Sequence, residues 1–105
     1  MEKQITSRLG FGCMRLPVLE NGEIDLEQVK TMVDLAFENG INYFDTAYGY
    51  HNEKSEGTMK LALVDRYPRE SYFLADKMPM WKVECEEDLE KLFATQLERT
   101  GAGYF

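Results

Sequence analysis

Short apolar segments recur along this chain at an interval of 31 or 32 residues. A segment with helical character follows each of the first three, and the apolar segments begin near Leu9, Ile41, Tyr72 and Tyr104. A strand followed by a helix is the unit from which parallel sheets with outer helices are built. The period therefore predicts an α/β fold with three βα units and a fourth strand that begins at Tyr104-Phe105.

The segments between the strands have the pattern of amphipathic helices. The first helix is predicted to start at Asp25, which forms a capping-box pattern with Gln28, and to end at Gly40. A second helix is predicted at about residues 54–66 and a third at about residues 86–100. The apolar stripe that should bury the third helix consists of Leu89, Leu92, Phe93 and Leu97.

Units of this kind close either into an open sheet or into a (β/α)₈ barrel. An open nucleotide-binding sheet should carry G-x-G-x-x-G after its first strand, and residues 10–15 (GFGCMR) lack that fingerprint. A barrel needs about 250 residues. A sheet of three parallel strands would also leave both of its edges unpaired. We therefore predict that residues 1–105 form the N-terminal part of a single (β/α)₈ TIM barrel, with no second domain in this chain.

Composition narrows the range of partners and compartments. The 105 residues carry a net charge of −7, which argues against nucleic acid and anionic membranes as partners. No apolar run approaches the ~18 residues of a membrane span. The first residues do not resemble a signal peptide, so we expect a cytoplasmic protein.

Cys13 and Cys85 are predicted to be reduced thiols, with a single disulfide between them as the alternative. No metal-ligand set is visible, because the chain has one histidine, His51.

Polar residues follow each predicted strand at its carboxyl end. Residues 12–14 follow the first strand, Asp45, Tyr48 and Tyr50 the second, and Lys77 the third. The carboxyl ends of parallel strands lie on the same rim, where barrels of this type place their active sites. A lysine ammonium lowers the pKa of a phenol that lies beside it, and a nearby carboxylate keeps the lysine charged. This set is suited to general-acid chemistry on a carbonyl group.

The segment 40–47 (GINYFDTA) resembles a motif of the aldo-keto reductases. The resemblance extends to a tyrosine five residues after Asp45 and to Lys77 after the third strand. The resemblance implies reduction of an aldehyde or ketone with NADP or NAD as cofactor. It assigns proton donation to Tyr50, supported by Lys77 and Asp45. It also places the residues Gly12, Cys13, Met14 and Asp45 near the nicotinamide. A fourth catalytic residue, a histidine after the fourth strand, would lie beyond Phe105.

Several assignments have alternatives. Tyr48 competes with Tyr50 as the acid, although the family spacing favours Tyr50. Trp81 could line a substrate pocket or pack in the core, and His51 is expected to be a loop residue. The segment 78–81 (MPMW) resembles a bacterial branch whose longer members carry a C-terminal iron–sulphur domain, but no cluster ligands are visible here.

The resemblance covers only the start of a barrel, so we expect these 105 residues alone to be an incomplete, inactive fragment of the enzyme. The alternative hypothesis is a non-catalytic half-barrel remnant or interaction module. Such a module would self-associate through its unpaired sheet edges.

Overall fold

A computed structural model describes residues 2–105 as a parallel three-stranded sheet with three principal helices. The strands are β1 (Phe11–Gly12), β2 (Tyr43–Asp45) and β3 (Phe73–Ala75), and the helices are α1 (Leu26–Glu38), α2 (Ser55–Met59) and α3 (Glu86–Thr100). The order β1-β2-β3 and the parallel pairing confirm the three predicted βα units. Within residues 2–105 no helix is both long enough and apolar enough to cross a membrane.

The sheet is shorter than predicted at its first strand. Leu9 was expected to start β1, but its side chain is 66% exposed and β1 contains only Phe11–Gly12. A local bond takes up the backbone donor of Leu9, because Leu9 N donates to Ser7 Oγ at 3.0 Å. A strand that started at Leu9 would have left this group for pairing in the sheet.

The predicted fourth strand is absent from the described chain. Tyr104 and Phe105 lie outside any strand. The Tyr104 carbonyl accepts a hydrogen bond from Arg69 Nη2 at 2.6 Å, and the Phe105 ring packs edge-on against Phe93. Side-chain contacts thus replace strand pairing at this position.

The hydrophobic core lies between the sheet and the helices. Phe44 of β2 is fully buried at its centre, and its ring lies 5.3 Å from Phe11, 5.5 Å from Phe37 and 6.3 Å from Tyr72, measured between centroids. The helices contribute further fully buried side chains, which are Val29, Val33, Met59, Ala62 and Leu63. The core therefore fixes the position of β2, the middle strand.

The N-terminus of α1 confirms half of the predicted capping box. Asp25 Oδ1 accepts a hydrogen bond from Gln28 N at 3.2 Å. The reciprocal part is wrong, because the Asp25 N–H donates instead to Pro17 O at 2.8 Å. The cap is thus tied to the preceding segment, which helps to fix where α1 begins.

Gly40 follows α1 in a left-handed conformation, with φ +78°. Gly40→Ala should lower the free energy of unfolding by about 1–2 kcal/mol, because a Cβ is unfavourable at positive φ. Gly57→Ala is the matched control: Gly57 lies inside α2 with open space around its Cα, so alanine there should stabilise by about 0.5–1 kcal/mol. Urea unfolding measures the free energy of unfolding of both variants. Equal changes in the same direction for the two would contradict the prediction.

The second predicted helix, 54–66, is divided in the structure. The α2 helix ends at Met59, and a π-helical turn continues over Lys60–Val64. The Asp65 N–H bonds to Lys60 O at 2.9 Å, five residues back, and Lys60 Nζ also contacts the Asp65 carboxylate. An apolar stripe does not distinguish these two hydrogen-bond patterns, because both keep the same face toward the core.

The bounds of α3 were predicted correctly, but the face that it buries was not. Leu89, Leu92 and Leu97 are only partly buried, and Phe93 is 44% exposed. The buried residues of α3 are polar, Gln96 and Thr100. Gln96 Nε2 donates a hydrogen bond to the Lys77 carbonyl at 2.7 Å. The helix therefore turns a polar group toward the carboxyl end of the sheet, where it satisfies a backbone acceptor.

Candidate active site

The strand register brings the predicted site residues to one rim. Asp45 pairs with Gly12 on one side and with Ala75 on the other. Beyond these pairs, Cys13 N donates to Asp45 O and Thr46 N donates to Ala75 O, each at 2.9 Å. The loops that follow the three strands therefore start side by side, as the sequence predicted.

Lys77 and Asp45 form an ion pair at this rim. Lys77 Nζ donates to Asp45 Oδ1 and also to the Thr46 carbonyl, the latter at 3.1 Å. Partial burial lowers the pKa of Lys77, but hydrogen bonding to Asp45 and Tyr50 outweighs that effect and leaves the pKa above its usual value. The lysine is thus held in its charged form with its ammonium group in a fixed place.

The structure brings Tyr50 to this ammonium. Lys77 Nζ lies 4.8 Å from the centroid of the half-buried Tyr50 ring. Tyr48 is buried elsewhere: its ring faces the Arg99 guanidinium at 4.3 Å and the edge of Trp81 at 6.4 Å between centroids. Of the two candidate phenols, only Tyr50 therefore shares a site with Lys77.

A run of left-handed backbone follows Tyr50. His51, Asn52 and Glu53 have φ values of 53°, 53° and 68°. Non-glycine residues pay about 1–2 kcal/mol each in this region, so neighbouring contacts must hold the turn. Arg99 Nη2 donates to Glu53 Oε1 at 3.1 Å, and His51 Nε2 accepts from Leu16 N at 2.8 Å. His51 is a loop residue, as predicted, and it anchors the loop that positions Tyr50.

Gly12, the last residue of β1, and Met14, in the loop that follows, differ in exposure from Cys13, which lies between them. Gly12 and Met14 are exposed, whereas Cys13 is fully buried. Burial, assisted by the charge of Asp45, raises the pKa of the Cys13 thiol to about 12, so the thiol is unreactive at neutral pH. The Cys13 carbonyl accepts a hydrogen bond from Ser55 Oγ at 3.1 Å, which ties this loop to α2.

The structure excludes two of the alternatives that the sequence left open, one for Trp81 and one for the two cysteines. Trp81 does not pack in the core, because its side chain is 70% exposed beside Gly49. Cys13 and Cys85 are both free, one buried and one exposed, so the disulfide alternative is wrong. Because Trp81 is exposed, the other predicted role, that of lining a substrate pocket, stays a prediction.

A contact between two acidic side chains beside the site was not predicted. Glu56 of α2 and Asp76, which directly precedes Lys77, contact each other, and Glu56 is fully buried. Burial, followed by the hydrogen bond with Glu56, raises the pKa of Asp76 to about 8. The Asp76-Lys77 sequence showed that β3 ends on charge, but no pattern indicated which residue would face Asp76.

Comparison with known proteins identifies the family. The sequence model of the aldo/keto reductase family matches residues 8–105, so the chain belongs to that family. The three βα units accordingly belong to a (β/α)₈ barrel, which confirms the predicted fold class.

Two individual matches show how much of the family fold is present. The Glycine max protein named "Probable aldo-keto reductase 1" is 32% identical over 102 residues, which cover 82% of this chain and 29% of that protein. The crystal structure of a protein described as an aldo-keto reductase from Pseudomonas aeruginosa matches with a TM-score of 0.71 and 24% identity, over 91% of this chain and 37% of that one. The chain therefore spans well under half of either relative.

Proposed function

We propose that this chain supplies three catalytic residues of a reductase that uses NADP or NAD and acts on a small aldehyde or ketone. The observation that carries the proposal is the Lys77 ammonium, which is held by Asp45 and lies 4.8 Å from the centroid of the Tyr50 ring. Membership of the aldo/keto reductase family supports it. The activity is proposed for the full-length protein, because this chain spans 29% of its curated relative.

Each residue has a separate task in the proposed reaction. A bound nicotinamide would supply a hydride to the carbonyl carbon. Tyr50 would donate its phenolic proton to the carbonyl oxygen, so that the product is an alcohol. The Lys77 ammonium would stabilise the negative charge left on the phenol oxygen, and Asp45 would keep Lys77 in place. No metal is needed for this proton transfer.

The loop after β1 fits a role beside the nicotinamide. Gly12 has no atom within 4 Å of the position that a Cβ would take, so a flat ring could approach its backbone. Met14 is exposed and could contact the same ring, while Asp45 lies next to Gly12 in the sheet. Cys13 would act through its backbone, because its thiol is buried. These four residues do not discriminate NADP from NAD.

A spectrophotometric assay tests the activity directly. The full-length protein, mixed with NADPH or NADH and a panel of small aldehydes and ketones, should consume the reduced nucleotide only when a carbonyl substrate is present. Failure with both nucleotides across the panel would contradict the proposal. A cytoplasmic location is part of the proposal and is supported by the two free thiols.

Asp45→Asn should lower kcat/KM by about tenfold, since the neutral amide cannot hold the ammonium as a carboxylate does. The loss should stay moderate because Lys77 Nζ keeps its bond to the Thr46 carbonyl. Asp65→Asn is the matched control, as Asp65 pairs with Lys60 on the surface in the same kind of ion pair. Equal activities of the two variants would show that Asp45 has no role in reduction.

Exposed apolar faces favour a second candidate function, that of a self-associating module. One face lies beside β1 and α1 and is formed by Leu9, Phe11, Met32, Leu35 and Ile41. Within residues 2–105 both β1 and β3 pair on one side only. Sedimentation velocity of the 105-residue chain tests this: dimers or larger species that do not bind nucleotide support the module, and a monomer contradicts it.

A further inference from the structure

Two carboxyl groups, those of Glu56 and Asp76, lie in contact next to Lys77. Glu56 projects from α2 and is fully buried, and Asp76 lies in the chain directly before Lys77. The Oε2 atom of Glu56 and the Oδ2 atom of Asp76 are both buried and have no hydrogen-bond donor among residues 2–105. Buried polar atoms are nearly always paired, so these two require an explanation.

The other two oxygen atoms of the pair have clear partners. Asp76 Oδ1 accepts from the Lys77 backbone N–H at 2.8 Å, and Glu56 Oε1 accepts from Arg99 Nη1 at 3.4 Å. The two side chains are also hydrogen-bonded to each other, and the oxygens left for that bond are Glu56 Oε2 and Asp76 Oδ2. Two ionised carboxylates in contact repel, whereas one proton between them makes a strong hydrogen bond.

We propose that Glu56 and Asp76 share one proton and that this acid pair is a positioning element for Lys77. The shared proton satisfies both orphaned oxygens at once. Asp76 then holds the Lys77 backbone N–H, while Gln96 of α3 holds the Lys77 carbonyl at 2.7 Å. The peptide groups on both sides of Lys77 are thus fixed from α2 and α3, which leaves the lysine side chain directed at Asp45.

Charged and titratable groups from every neighbouring element act on this pair. Arg99 of α3 lies on the Glu56 side, and the Lys77 ammonium, the Asp45 carboxylate and the Cys13 thiol lie toward the strand ends. Glu53 competes for Arg99, to which it is bonded at 3.1 Å. Burial and the hydrogen bond with Glu56 raise the pKa of Asp76 to about 8, against the weaker opposing effects of the Lys77 N–H and ammonium. The proton is therefore retained at neutral pH.

The raised pKa of Asp76 determines the direction in which the stability of the fold changes with pH. Between about pH 4 and pH 8 the folded protein keeps a proton that the unfolded chain has lost, so this pair's contribution to stability falls as pH rises through that range. Above about pH 8 both states have lost the proton and the contribution becomes constant. Other carboxyl groups titrate at lower pH, which makes a difference between variants the cleanest measurement.

Glu56→Gln and Asp76→Asn test the shared proton without reference to catalysis. Each amide supplies a permanent N–H in place of the proton, so the hydrogen bonds remain and the titration disappears. In carboxyl ¹³C NMR the full-length protein should show a step near pH 8 that both variants lack. Their urea midpoints, relative to wild type, should rise from pH 5 to pH 8. Glu98→Gln, at an exposed position on α3, should follow wild type throughout.

The NMR outcome decides the proposal. If both carboxyl groups titrate below pH 5, or if the step near pH 8 persists in Glu56→Gln, no proton is shared. If Glu56→Gln does not fold, Asp76→Asn provides the same comparison from the other residue. A shared proton that is confirmed in a protein without reductase activity would retain this inference and reject the proposed function.

The positioning role rests on the proposed function and needs a kinetic readout. Loss of the proton should disturb Lys77, so the ratio of kcat at pH 9 to kcat at pH 7 should be up to about tenfold higher in Glu56→Gln than in wild type. KM for the carbonyl substrate should change less than kcat. An identical pH profile in the two proteins would reject the positioning role.

Discussion

Tyr50→Phe is expected to lower kcat for carbonyl reduction by about 10²–10⁴-fold, the usual contribution of a positioned general acid. Phenylalanine keeps the ring that lies against the Lys77 ammonium but has no proton to give. The fold should be unaffected, because only a hydroxyl group at the rim is removed. Steady-state kinetics with reduced nucleotide and a responsive aldehyde measure the loss, and circular dichroism checks the fold.

Tyr48→Phe is the matched control, since it makes the same chemical change two residues away. The Tyr48 hydroxyl accepts a long hydrogen bond of 3.4 Å from Arg99 Nη2, and the Tyr48 ring packs between Arg99 and Trp81. We expect this variant to lose less than about tenfold in kcat. If Tyr50→Phe turned over at a near-normal rate while Tyr48→Phe did not, the assignment of the two phenols would be reversed.

Phe44→Ala is expected to lower the free energy of unfolding by about 3–5 kcal/mol, the usual cost of truncating a fully buried aromatic side chain. Phe44 is fully buried and contacts the rings of Phe11, Phe37 and Tyr72, so alanine would leave a cavity at the centre of the core. Urea unfolding followed by circular dichroism measures the change.

Phe93→Ala provides the comparison at an exposed site. The Phe93 side chain is 44% exposed, and its one aromatic partner among the described residues is Phe105. Its loss should cost about 1 kcal/mol or less. Equal losses for the two variants would show that Phe44 is not at the centre of the core.

Patterns that repeat with a fixed period were the most predictable part of this structure. The spacing of apolar segments predicted three parallel βα units, and the acidic first turn and terminal Gly101 predicted the bounds of α3. The convergence of Asp45, Tyr50 and Lys77 followed from the same reasoning, because parallel strands end on one side. Local sequence carries this information, so no knowledge of distant contacts was needed.

Features that depend on contacts between distant residues were missed. The buried face of α3 is polar because Gln96 finds the Lys77 carbonyl, a partner that helix periodicity cannot reveal. The contact between Glu56 and Asp76 joins α2 to the end of β3, across a separation of 20 residues in the sequence. The left-handed run at residues 51–53 contains no glycine. His51 and Asn52 are of types that enter this region more often than most, but Glu53 is not, so the sequence did not indicate three such residues in a row.

Side chains that alternate along β2 couple the core of this protein to its candidate site. Phe44 and Asp45 are neighbours in one strand, and their side chains leave the sheet on opposite faces, one into the core and the other to the rim. A slip of one residue would exchange their positions, so it would expose an aromatic ring and bury a charge together. An insertion or deletion in β2 would therefore disrupt the core around Phe44 and the ion pair between Asp45 and Lys77 at the same time.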